Sequence, residues 1–279
     1  MKNTILLLTF LALTFNIQSQ SVIKIWDGTP PTSNEASLSD PATAQYAYDP
    51  DITVYLPDAS NNKNIAVIIC PGGGYSHLAI EHEGYQFAEW LKKQGYTAIV
   101  LRYRLPNQHK EVPLSDVQQA FRYVRSKARE WNIKQIGIAG FSAGGHLAST
   151  ASTHYIDAET RPDFSILFYP VITMEKEYRH DGSRINLIGE NPPLTDFYIY
   201  SNEKQVNVNT PPTLLLLSDD DKGVLPQNSI MYYQALKQND IPATMYIFPT
   251  GGHGWGMKDS FEYKDEMLSL LNKWLEALK

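Results

Sequence analysis

Ile136-Gly137-Ile138-Ala139-Gly140-Phe141-Ser142-Ala143-Gly144-Gly145-His146-Leu147-Ala148-Ser149 is the stretch on which the reading of this chain turns. A short apolar run enters Gly140-Phe141-Ser142-Ala143-Gly144, which fits G-x-S-x-G, and a helical pattern opens directly behind it. A serine on a tight strand-to-helix turn has a strained backbone, and the flanking glycines leave room for the close approach. Such a turn lifts the Ser142 hydroxyl to the carboxyl edge of a sheet. It also points the Ala143 N–H, backed by the helix dipole, at a developing oxyanion.

Outward from that turn, apolar runs and helical patterns alternate. Strands are predicted at 52–56, 65–70, 97–102, 136–139, 164–169, 213–218 and 243–248, several of them continuous and β-branched, as strands buried on both faces should be. Helices are predicted at 83–94, 114–130, 143–153 and 227–239. A last one carries Met267, Leu270, Leu271, Trp274, Leu275 and Leu278 at i, i+3, i+4 spacing, with Asp259 or Ser260 as its N-cap. This alternation predicts an α/β fold, a central mostly parallel sheet flanked by helices on both faces. The polar stretch 173–210, with Pro192, Pro193, Pro211 and Pro212 in or just after it, is expected to be a lid-like insert in a single domain spanning 20–279.

Residues 1–19 have the three-part layout of a secretory signal peptide: Lys2, an apolar run from Ile5 to Phe15, then small or polar residues. The run is short of the ~20 apolar residues that span a bilayer. The expectation is therefore a secreted or periplasmic protein, cut near residue 19, with no membrane anchor afterwards. The 279-residue chain is 43% hydrophobic and 19% charged with a net charge of −6, which excludes disordered and coiled-coil proteins. With no basic run, nucleic acid is not an expected partner. Cys70, the one cysteine, excludes an intrachain disulfide and a cysteine-based zinc site, and is read as a buried strand residue.

A nucleophilic serine needs a base, and the base needs an orienting carboxylate. Of seven histidines, His253 lies in Gly251-Gly252-His253-Gly254-Trp255, after the last predicted strand, which satisfies the chain order Ser, Asp, His. His146 and His154 share the helix after Ser142 and read as packing or surface residues, while His77 is a candidate pocket residue. The acid is expected from Asp219-Asp220-Asp221, behind strand 213–218. The glycine run Pro71-Gly72-Gly73-Gly74-Tyr75 follows strand 65–70, so Gly73 and Gly74 N–H are the other expected oxyanion donors. It lacks the phosphate-loop patterns G-x-G-x-x-G and G-K-[ST]. The triple Asp lacks EF-hand spacing and H-E-x-x-H is missing, so neither a metal nor any other cofactor is expected. Tyr75 and Trp255, beside the oxyanion loop and the base, are expected to narrow an acyl pocket.

Taken together, IICPGGGY (68–75), GYTAIVLRYRLP (95–106), IAGFSAGGHLAS (138–149), LFYPVIT (167–173), GSRINLIG (182–189), PPTLLLLSDDDKGV (211–224) and IFPTGGHGWG (247–256) resemble the α/β-hydrolase superfamily. The closest likeness is its secreted carbohydrate-esterase branch of acetylxylan and feruloyl esterases and esterase/lipase-like relatives. The resemblance implies a Ser142–Asp221–His253 triad, since the family's Asp-Lys-x-Val matches Asp221-Lys222-Gly223-Val224, with Asp220 as the alternative because Leu225-Pro226 departs from the pattern. Pro71 stands where the family often has His; the donors are backbone groups, so the change should not remove activity. The resemblance further implies hydrolysis of acyl, above all acetyl, esters on xylan or xylo-oligosaccharides. The alternatives are a feruloyl esterase, a general short-chain carboxylesterase, or a serine peptidase of the same fold.

Overall fold

The computed structural model describes residues 21–278; the signal-peptide expectation for 1–19 lies outside them. Eight strands form one sheet: β1 (Ser21–Lys24), β2 (Asp51–Tyr55), β3 (Ile65–Cys70), β4 (Thr97–Arg102), β5 (Gln135–Phe141), β6 (Ser165–Phe168), β7 (Thr213–Ser218) and β8 (Ala243–Phe248). Their spatial order is β1-β2-β4-β3-β5-β6-β7-β8. From β4 to β8 every pairing is parallel, while β1–β2 and β2–β4 are antiparallel. The helices are α1 (Gln86–Lys93), α2 (Glu111–Lys127), α3 (Ala143–Thr153), α4 (Asp181–Ile188), α5 (Leu194–Ile199), α6 (Gln227–Gln238) and α7 (Lys264–Ala277). Two apolar layers, one on each sheet face, make the core. Ile68, Ile138, Leu167 and Leu215 pack with Val117 and Phe121 of α2 on one face; Val67, Ile69, Ile166 and Leu216 pack with Phe87 of α1 and Met267 and Leu271 of α7 on the other. Burial on both faces is what those unalternating apolar strands encode.

Several boundaries differ from the sequence expectation for physical reasons. β1 was not expected; it is a four-residue edge strand beside β2. The last helix starts at Lys264 behind Tyr263, not at Asp259 or Ser260. Phe261 stacks on Trp255 at 4.2 Å between centroids, and Asp259 accepts a hydrogen bond from Lys264 Nζ, so 259–263 is held in turns. The helix expected at 83–94 opens as a π-turn over Glu81–Tyr85 before α1 begins. Segment 173–210 is packed rather than loose. It holds α4 and α5, Met174, Leu187 and Ile188 are buried, and Asn202 Nδ2 donates to the His146 carbonyl on α3.

Candidate active site

Ser142 sits between β5 and α3 at φ +52°, ψ −118°, a conformation L side chains rarely adopt. The turn is pinned on both sides: Ser142 N–H donates to the Phe168 carbonyl on β6 at 3.0 Å, and Val171 N–H donates to the Ser142 carbonyl at 3.0 Å. It also needs α3 to pass very close to β3. A Cβ on Gly144 would sit 2.1 Å from the Cys70 carbonyl oxygen.

The structure brings Ser142, His253 and Asp221 into one hydrogen-bonded chain. Ser142 Oγ lies 2.7 Å from His253 Nε2, and His253 Nδ1 lies 2.7 Å from Asp221 Oδ2. A carboxylate only accepts, so Nδ1 carries the proton and Nε2 is left to receive the serine's. Asp221 is 2% exposed, and its Oδ1 accepts the N–H groups of Gly223 at 2.8 Å and Val224 at 2.9 Å, which fixes the carboxylate plane. Asp220 is exposed and accepts the Gly252 N–H at 2.8 Å, so it holds the backbone of the His253 loop rather than the imidazole. Asp219 is exposed as well.

The glycine loop leaves β3 with Gly73 at φ +123° and Gly74 at φ +64°. A Cβ on Gly73 would meet the His77 carbonyl oxygen at 2.2 Å, so only glycine fits there. Gly73 and Gly74 carbonyls are engaged, by Ser76 and by Asn186 of α4. Among the described residues neither of their N–H groups is donated to the protein, and Ala143, first residue of α3, has no partner for its own within the helix. Three unspent donors therefore flank the serine turn.

Tyr75 and Trp255, expected beside the acyl group, are both buried. Tyr75 is 2% exposed at φ +60°, with its hydroxyl 3.0 Å from His146 Nδ1 inside the core. Trp255 is 3% exposed, stacked on Phe261, and donates Nε1–H to Ser218 Oγ at 3.0 Å. The polar end of each ring thus finds its partner in the packed interior. His77 is exposed, His146 is buried under the loop, and His154 is half-buried.

Three neighbours escaped the sequence reading. His180, at the N-cap of α4, accepts the Ser183 N–H at Nδ1 (3.1 Å). Its ring lies beside Gly74, and burial together with nearby His253 holds its pKa below the ordinary range. Glu83 accepts the Gly72 N–H at 2.8 Å and the Tyr169 hydroxyl at 2.9 Å, and Tyr169 lies edge-on to His253 at 5.0 Å. His180 stands three residues before Ser183, the one serine of α4, whose N–H it caps. Glu83 gives no sequence signal, since a glutamate in a helical pattern reads as solvated. Among the described residues no group of three His, Cys, Asp or Glu side chains could hold a metal ion, and no helix is long and apolar enough to cross a membrane.

A mostly parallel sheet with the serine turn after β5, the carboxylate after β7 and the histidine after β8 defines the α/β-hydrolase fold. Within that class the chain belongs to the BD-FAE family, which matches residues 52–236. It is 41% identical over 249 residues to an acetylxylan esterase of Xylanibacter ruminicola, covering 87% of this chain and 50% of that protein. It is 36% identical over 228 residues to endo-1,4-beta-xylanase B of Butyrivibrio fibrisolvens, covering 76% of this chain and 35% of that one. The chain thus spans half or less of these two relatives. Among solved structures, an acetyl ester-xyloside bifunctional hydrolase from Caldicellulosiruptor lactoaceticus superposes with a TM-score of 0.78 at 37% identity, over 92% of this chain and 95% of that one.

Proposed function

We propose that this chain is a secreted serine esterase that removes acyl groups, foremost acetyl, from xylan or xylo-oligosaccharides. The observation that carries the proposal is the unbroken chain from Ser142 Oγ through His253 to buried Asp221, beside the unspent N–H groups of Gly73, Gly74 and Ala143. The names of the similar esterase and bifunctional hydrolase support the acetyl-sugar substrate. Lys2 and the apolar run behind it support export.

Ser142 Oγ attacks the ester carbonyl while His253 Nε2 takes its proton and Asp221 holds the imidazole in the required tautomer. The three N–H groups receive the oxyanion, each worth about 3–4 kcal/mol of barrier. His253 returns the proton to the departing sugar hydroxyl, and water, activated by the same imidazole, releases the acid from Ser142.

Acetate release from acetylated xylan, with kcat/KM on acetyl, butyryl, octanoyl and feruloyl esters, tests this. The acetyl ester should be fastest, and Ser142→Ala should abolish turnover while keeping the wild-type circular dichroism. Turnover by folded Ser142→Ala removes the serine mechanism. Faster octanoyl or feruloyl cleavage, or no acetate from the polymer, removes the acetylxylan assignment.

A further inference from the structure

Glu83 is 2% exposed, yet among the described residues no lysine or arginine nitrogen lies within 4 Å of its carboxylate. Its one basic neighbour at that range is His82 Nε2 at 3.8 Å, whose pKa is lowered by burial and by Lys258. Burying a carboxylate without a cation costs stability, and a side chain needed only to fill space would be apolar. What surrounds the carboxylate is instead a pair of donors. Oε2 takes the Gly72 N–H at 2.8 Å, and Oε1 takes the Tyr169 hydroxyl at 2.9 Å.

Each donor leads to a different part of the site. Gly72 opens the oxyanion loop and is wedged in place: a Cβ there would lie 2.6 Å from Glu83 Oε2 and 3.0 Å from Ser142 Cβ. With the Gly72 N–H spent on Glu83, the loop is anchored one residue before the unspent donors of Gly73 and Gly74. Tyr169 follows β6 at φ +35°, strained for a tyrosine. Its hydroxyl accepts the Gly256 N–H at 2.8 Å while its ring edge meets His253. The π-turn that carries Glu83 reaches the histidine loop a second time, where the His82 carbonyl accepts the Met257 N–H at 2.9 Å. A π-turn adds a residue to the helical turn and re-aims its side chains, and such turns concentrate at functional sites.

We propose that Glu83 is a positioning residue, the buried anion from which the oxyanion loop (through Gly72) and the His253 loop (through Tyr169 and Gly256) are held at a fixed separation across Ser142. This rests on the esterase reading of Ser142 and His253 given above. The glycine loop bonds to the carboxylate directly and the His253 loop through the Tyr169 hydroxyl, so a shift in one is transmitted to the other. The chemistry responds steeply, because small misplacements of donors and base weaken the transition state more than substrate binding.

Glu83→Gln keeps an oxygen for Gly72 but turns an NH2 toward Tyr169, whose hydroxyl then has two donors to accept and no acceptor for its own proton. Tyr169→Phe cuts the arm to the histidine loop and leaves the Gly72 arm whole. The experiment measures kcat and KM on a nitrophenyl acetate, the rate of covalent labelling of Ser142 by a fluorophosphonate, and Tm, for wild type, both single variants and the double variant. We expect Glu83→Gln and Tyr169→Phe each to lower kcat and the labelling rate about 10- to 100-fold with KM within about threefold of wild type. The double variant should be little worse than the worse single, because both cut one network. A kcat for Glu83→Gln within twofold of wild type overturns the proposal, as does a loss expressed in KM and Tm while the labelling rate stays unchanged. Should Glu83→Gln fail to fold, Tyr169→Phe decides by the same criteria. Wild-type protein that is neither labelled at Ser142 nor active on any ester would instead overturn the esterase reading on which this rests.

Discussion

Of the three carboxylates in Asp219-Asp220-Asp221, one is within hydrogen-bond reach of the imidazole. Asp221 reaches His253 Nδ1 and is buried, whereas Asp220 is exposed and holds only Gly252 N–H. Asp221→Asn is therefore expected to lower kcat by about three to four orders of magnitude through the wrong imidazole tautomer. Asp220→Asn should cost less than about tenfold, since one exposed hydrogen bond contributes ~1 kcal/mol; kinetics of the two variants side by side would check the ranking. Another residue sets an acid limit. His146 is fully buried, with Nδ1 facing the Tyr75 hydroxyl and Nε2 the Tyr200 carbonyl, and burial, reinforced by His154, pushes its pKa down to about 4. A depressed imidazole contributes stability that is whole above pH 6.5 and is lost as pH falls toward 4, about 3 kcal/mol in all. Denaturant titrations of wild type and His146→Gln across that window should differ by roughly that amount, and parallel curves would refute it. The sequence disclosed Ser142 and His253 because glycine punctuation marks both turns. The depth at which Tyr75 and Trp255 pack was not legible, because adjacency along the chain does not say which way a ring turns. Glu83 stayed hidden because a charged residue in a helical pattern is ordinarily solvated, and only the packed structure shows otherwise.

Among the elements, α3 is the one whose placement everything else assumes. Its approach to β3 is possible only because Gly144 has no side chain. Gly144→Ala would drive Cβ into the Cys70 and Pro71 carbonyl oxygens, at 2.1 and 2.4 Å, with no flexible atom to yield. We expect a loss of about 3 kcal/mol or more in stability and no measurable turnover, read by urea melts and ester assay; wild-type stability would show that α3 can retreat freely. The inner strands were legible because β3, β4 and β7 are continuously apolar through their centres and buried there on both faces. Less legible were the edges and the joints. β1 is too short to show a pattern, the π-turn before α1 shares its periodicity with a helix, and α7 begins late because Phe261 is claimed by Trp255.

At the scale of the whole molecule, one buried carboxylate ties the lead-in before β2 to the helical layer. Asp116 on α2 is fully buried and accepts from Trp26 Nε1 at 2.9 Å, from the Arg104 backbone N–H at 2.9 Å and from the Arg104 guanidinium, which itself donates to the Thr32 carbonyl at 2.6 Å. Removing one member strands the others, so Asp116→Ala is expected to cost about 3–5 kcal/mol, detectable as a fall in the urea midpoint at unchanged slope. A shift under ~1 kcal/mol would mean that the segment is held by packing alone. The single thiol has a bearing on such measurements. Cys70 has no exposed surface, is paired across to Gly140 of β5, and is pushed far from its ordinary acidity by burial. A maleimide or disulfide reagent can then meet it only in molecules whose central strands have parted. Its labelling rate, with no second thiol to confuse the signal, becomes a clock for the rarest openings of the sheet. That rate should climb with urea along the same slope as global unfolding, and fast labelling of folded protein would reveal a partial opening of the strands that carry the Ser142 turn.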